Sequence, residues 1–154
     1  MEAPTLQYKL LIALFFLPIN CLAQCAKRTE LLALFERSLS ASYATQLTID
    51  ASVLSQWHRC NYPYDSSYVS IKLGLAKAHF YTGNTEEALH QLKQVIKLYD
   101  SNARFLNPED KIKSYYRLGL YLKQNYEYKK AIDAFELAIR LAVKQKKNER
   151  TANA

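Results

Sequence analysis

The chain has 154 residues, enough for one domain, and its 49% apolar and 23% charged residues exclude a chain too polar to bury a core. Only 3 Gly and 4 Pro argue against a turn-rich β fold and for long helices. The net charge of +7 is local: residues 1–23 and 24–110 are each neutral, and residues 111–154 carry eleven basic and four acidic side chains. That excess has two readings, a solvated helix face or attraction to an acidic peptide or anionic surface.

The first predicted element is an address rather than part of the fold. Residues 10–17, "LLIALFFL", follow Lys9 and precede Pro18, Asn20 and "CLAQC". A basic residue, a short apolar run and a small-residue end predict a signal peptide over 1–23, cut after Ala23. The run falls well short of the ~20 residues a spanning helix needs. A buried N-terminal helix is the alternative. The expected location is therefore outside the cytoplasm, periplasmic or extracellular. "LAQC" also resembles a bacterial lipobox ending at Cys25, although Gln24 stands where that motif takes a small residue. Lipidation of Cys25 is the one route to a membrane. Otherwise, with Cys21 removed, Cys25 and Cys60 are expected to pair in an oxidising compartment, two buried thiols being the alternative.

Residues 24–66 read as a divergent helical hairpin. Leu31, Leu32, Leu34 and Phe35 have helical spacing over 27–41. Residues 42–48 read as a polar connection, with Thr48 or Asp50 capping a helix that ends near Cys60. Pro63 breaks the chain and Asp65 or Ser66 restarts it. A helix over 67–82 and the turn "TGN" at 82–84 follow. Asn84 and Glu87 then open, in the manner of a capping box, a helix that runs to about Tyr99. After a loop over 100–110, Asn107, Pro108, Glu109 and Asp110 make a strong helix start. Two helices are predicted over 108–124 and 127–147, parted near Gln124 and Asn125. The fold class is all-α.

"LAKAHFYTGNTEEALHQLKQVIKL" (75–98) aligns without gaps on "LGLYLKQNYEYKKAIDAFELAIRL" (118–141), at an offset of 43. Self-similarity at one period points to stacked helix pairs. The second copy places Tyr115, Leu118, Gly119, Leu122, Ala131, Phe135 and Ala138 at the spacing of the tetratricopeptide repeat (TPR), which it resembles; Val143 replaces the family's final Pro. The first copy supplies Leu75, Ala76, Ala88, Leu92 and Val95, with Gly83 in the turn, and departs at Lys72 and His79. The resemblance implies a right-handed α-solenoid with repeats at about 69–100 and 112–143 inside a 67–154 unit, followed by a basic C-terminal helix. Gly119 and Ala131 are expected to allow close helix crossing, and Phe135 to fill the space between helix pairs.

The same resemblance implies a concave face that binds protein. Its positions are Ser70, Leu73, Lys77, Phe80 and Tyr81 in the first copy, and Lys113, Tyr116, Leu120, Lys123 and Gln124 in the second, with Arg117 beside them. Mixed aromatic and basic side chains suit an extended, acidic peptide. The Asn members of the family's carboxylate clamp are absent, which puts that particular activity in doubt. A solvated inner face is the plainer reading. No HExxH, CxxC, P-loop or GxSxG occurs, and His58, Cys60, His79 and His90 make no catalytic constellation in sequence. No enzyme, cofactor or metal is expected, and an export signal argues against a nucleic-acid partner. The expectation is an exported interaction scaffold. The alternative is an N-terminal sensory or adaptor piece of a larger envelope repeat protein, which the run "NERTANA" leaves open.

Overall fold

The computed structural model describes residues 25–101 and 106–152. The predicted leader over 1–23 lies outside the described residues. Among them, six α-helices follow one another: α1 (Arg28–Ser38), α2 (Tyr43–Arg59), α3 (Ser66–Tyr81), α4 (Thr85–Ser101), α5 (Pro108–Gln124) and α6 (Tyr128–Ala152). Each packs against the next, and α3 also reaches α5. This is an α-solenoid of three helical hairpins.

Local chemistry sets the helix starts. Asp65 accepts from the backbone N–H of Ser67 at 3.0 Å and Tyr68 at 3.3 Å, and so caps α3. Asn107 accepts from Glu109 N–H at 3.0 Å, with Pro108 in the first turn of α5. Asn84 accepts from Glu87 N–H at 3.3 Å at the start of α4. α6 runs to Ala152, beyond the predicted end at 147.

One expectation fails in the first hairpin. Residues 42–48 are not a connection: Ser42 accepts from Thr45 N–H, and α2 begins at Tyr43. Asp50 is no cap. It lies mid-helix and fully buried, where Ser38 Oγ donates to Oδ1 at 2.6 Å and Gln46 Nε2 donates to Oδ2 at 3.1 Å. Polar residues that satisfy each other inside a core give the segment the composition of a loop.

The core has two parts that meet on α3. Leu31, Phe35, Val53, Leu54 and Trp57 close on one side of α3 through Tyr68, Ile71 and Leu75. Val69, Leu73 and Ala76 on its other side join Leu92, Val95 and Tyr99 of α4 and Tyr121 and Leu122 of α5. A helix buried on both faces is the central member of a stack. Lys72 departs from the aromatic position of the family pattern yet is buried. Its ammonium donates to Gln91 Oε1 at 2.7 Å and to Gln94, and burial pushes its pKa below the ordinary lysine value.

The first hairpin is fastened at its open end. Cys25 and Cys60 form a disulfide with a Cα–Cα distance of 5.6 Å. Tyr62 Oη donates to the Ala26 carbonyl at 2.7 Å, Arg28 pairs with Asp65, and Trp57 Nε1 donates to the Pro63 carbonyl at 3.0 Å. The Cys25 sulfur is thus bonded to Cys60, and that bond and a thioether-linked lipid exclude each other.

Candidate functional site

α3 and α5 hold corresponding places in successive hairpins, and a groove runs between them. Lys77, Phe80 and Tyr81 form the α3 wall. Lys113, Tyr116 and Arg117 form the α5 wall, and Leu120 and Tyr121 complete a depression of about 360 Å³. A second concavity of about 400 Å³ shares Phe80, Tyr81 and Leu120 and continues past Lys123 and Gln124 to Tyr128. The α5 members recur every three or four residues, so one helix face supplies them all.

The floor is aromatic. Phe80 stacks on Tyr121 at 3.8 Å between centroids, and Tyr81 meets Phe80 edge-on at 5.4 Å. Tyr43, at the start of α2, stacks on Tyr81 at 4.4 Å. Tyr121 is buried, which pushes its phenol up to about 12 against the pull of Arg117. It stays neutral and acts as floor rather than as an acid–base group. Tyr81 and Tyr116 are 58% and 53% exposed, so large rings face solvent along the groove.

The rim is basic. Among the described residues, no carboxylate lines either concavity. Lys77 sits 5.3 Å from the Tyr43 ring centroid. Lys113 pairs with Glu109 at 3.3 Å, one helical turn back, with both side chains exposed. Arg117 Nη1 donates to the Leu73 carbonyl at 3.4 Å. Asp110 lies near Lys113 and Arg117, but burial outweighs their pull and its carboxyl is held above the ordinary value.

All seven groove residues singled out in the sequence, Lys77, Phe80, Tyr81, Lys113, Tyr116, Arg117 and Lys123, therefore line one continuous depression. Leu73 does not: it is buried in the core and offers only its carbonyl. Tyr43, Tyr121 and Tyr128 were missed. Tyr43 lies in the polar segment 42–48, whose composition conceals the start of α2, and Tyr128 aligns with Thr85 at the offset of 43, so periodicity carries no signal for it. Tyr121 was visible as an aromatic between two named positions.

The remaining candidates for chemistry are dispersed. His58 Nε2 lies 3.1 Å from Tyr68 Oη, His90 contacts Gln94, and Cys60 is in the disulfide. Among the described residues, no group of three or more His, Cys, Asp or Glu is placed to hold a metal ion. No helix among them is long and apolar enough to cross a membrane.

Residues 112–142 match the family model described as tetratricopeptide repeat. The match covers the α5–α6 hairpin, which supplies one wall of the groove. No curated protein and no solved structure matches the chain.

Proposed function

We propose that this chain, whose residues 112–142 form a tetratricopeptide repeat, is an exported interaction scaffold that holds an acidic peptide or partner protein between α3 and α5. Repeats of this family serve as protein-interaction scaffolds. The observation that carries the reading is the groove itself: exposed aromatic rings flanked by Lys77, Arg117 and Lys123, with no lining carboxylate among the described residues. Such a surface attracts negative charge over a distance and then buries apolar side chains on contact. Binding alone, with no covalent step, is the mechanism.

Export is supported by the Cys25–Cys60 disulfide, because such bonds persist in oxidising compartments. It draws equally on the signal-like run at 10–17. The same bond favours a chain that is free of lipid at Cys25.

Site-specific photocrosslinking tests the proposal. A photoreactive residue in place of Tyr116 should capture a partner in envelope or secreted fractions. Capture should fall strongly with Lys77→Glu plus Lys123→Glu, while a probe at solvent-facing Ile139 captures nothing comparable. Equal capture from both positions overturns the groove. A mature N-terminus still at Met1 overturns export.

A further inference from the structure

α6 buries its small residues and exposes its large ones. Ala131, Ala134 and Ala138 are 3%, 6% and 5% exposed, whereas Ile132, Ile139 and Val143 are 58%, 63% and 65% exposed. Spacings of seven and four place these three aliphatics in one stripe along the outer side of the helix. Neither concavity of the groove uses them. The repeat does not require them to be exposed and apolar either. At the offset of 43, Ile132 corresponds to Leu89, which is buried in the core, and Val143 corresponds to Asp100, an exposed carboxylate.

The charges beside the stripe depart from the first repeat as well. α4 carries Glu86 and Glu87 in its first turn, where carboxylates suit the positive end of the helix dipole. α6 has Lys129 and Lys130 at the matching positions and no acidic residue in its first turn. Cations there oppose the dipole, so helix stability does not account for them. Lys129 is three residues from Ile132, and Lys146 and Lys147 are three and four residues from Val143, so all three flank the stripe. They are exposed and, among the described residues, pair with no carboxylate. Glu136 also flanks the stripe, and it is paired with Arg140 at 3.4 Å.

The occupant has to match aliphatics and unpaired cations together. A second copy laid antiparallel on the stripe would set Lys129 against Lys146 and Lys147, and a parallel one would set like against like. A soluble polyanion would meet the lysines and leave the aliphatics in water. An anionic phospholipid leaflet takes both, with phosphates at its surface and acyl chains just beneath.

We propose that the outer face of α6 is a membrane-surface site: Ile132, Ile139 and Val143 enter the interface of an anionic leaflet, and Lys129, Lys146 and Lys147 meet its headgroup phosphates. The helix lies on the bilayer and does not cross it. This gives the chain a route to a membrane that needs no lipid at Cys25.

The test is co-sedimentation of the oxidised full chain with vesicles at fixed ionic strength, one set of phosphatidylcholine alone and one with phosphatidylglycerol in about equal parts. Binding to the anionic set should be at least about tenfold stronger. Lys146→Glu plus Lys147→Glu should lower it by about tenfold or more, and so should Ile139→Ser plus Val143→Ser. Arg37→Glu plus Arg59→Glu changes net charge equally at exposed positions of the first hairpin and should leave binding nearly unchanged. Insertion has its own readout. Trp57 is the chain's one Trp and is fully buried, so brominated lipids should not quench the parent. They should quench the added emission of Ile139→Trp. Equal binding to the two vesicle sets, equal losses from the two charge reversals, or no quenching in Ile139→Trp overturns the site. Self-association that Ile139→Ser plus Val143→Ser abolishes, without vesicle binding, assigns the stripe to a second copy and overturns it too. Capture at Tyr116 reads the groove and does not depend on this face.

Discussion

A Cβ added to Gly119 would lie 2.6 Å from Cε1 of Phe135, closer than any ordinary contact. α5 and α6 therefore pack with the Phe135 ring laid over bare backbone. The Phe135 ring thus fills space inside its own hairpin, and it also packs against the core cluster that spans α3 to α6. At the sequence offset of 43, Ala76 and Leu92 stand at the matching positions of α3 and α4, and both are buried in one core cluster. Gly119→Ala should lose about 1–3 kcal/mol to overpacking, offset by roughly 1 kcal/mol of helix propensity. Adding Phe135→Leu should recover much of the loss by recreating the Ala and Leu combination of positions 76 and 92. A double-mutant cycle in urea checks it, and additive effects would refute the direct coupling.

That swap explains why the self-similarity at 43 residues is legible in the sequence. Ala76 with Leu92 and Gly119 with Phe135 keep the summed size at matching positions, so the pattern of small and large residues survives in sequence. The groove was legible for the same reason, because fixed repeat positions place Lys77 and Leu120 on one face. The first hairpin was not. Its α2 opens at Tyr43, and Gln46 and Asp50 stand as far from that start as Ala88 and Leu92 stand from the start of α4. Polar residues at those core positions conceal the helix, and only the partners they find in space, Ser38 and each other, reveal it. Gly74 was passed over likewise; its importance lies in Phe35 and Asp50, at 2.8 and 2.9 Å from an added Cβ.

Asp50 should make stability depend on pH. Burial raises its pKa in the fold above 3.8, and the hydrogen bonds from Ser38 and Gln46 only partly oppose this. The native state thus holds the proton more tightly than the unfolded chain. Its favourable contribution is complete below the unfolded pKa and is lost as pH rises through the folded value. Asp50→Asn removes the charge, and a reoriented Gln46 amide can accept from the new donor. Relative to the parent, this variant should be more stable at pH 7 than at pH 3, by denaturant midpoints at constant slope. A parent advantage that grows with pH would show that Asp50 is stabilised as the anion.

The Cys25–Cys60 bridge joins positions 35 apart in sequence. Chain entropy assigns such a loop about 3–4 kcal/mol. Cys25→Ser plus Cys60→Ser should cost about that much, with the loss concentrated in α1. Arg28 and Asp65 still tether the helix start, and Tyr62 still reaches Ala26, so α1 should fray without the core of α3–α6 unfolding. Hydrogen exchange should show faster amides at Leu31 to Phe35 and little change around Val95. Uniform acceleration across all helices would mean that the hairpins form one cooperative unit.

The turn between α5 and α6 carries a cost that the turn between α3 and α4 avoids. Tyr126 has φ 62°, and the residue 43 positions earlier is Gly83, with φ 87°. Left-handed backbone costs a side-chain-bearing residue about 1–2 kcal/mol, whereas Gly adopts it freely. The Tyr126 ring is 80% exposed and meets only the edge of Tyr128, at 6.3 Å, among the ring contacts of the described residues. Packing returns little at that exposure. Tyr126→Gly should therefore raise stability, by about 0.5–1 kcal/mol after the greater entropy of an unfolded glycine. The thermal midpoint should rise and the helical signal should stay unchanged. A fall in the midpoint would mean that the Tyr126–Tyr128 contact outweighs the strain, and the turn would then be held by its aromatic pair rather than tolerated despite it.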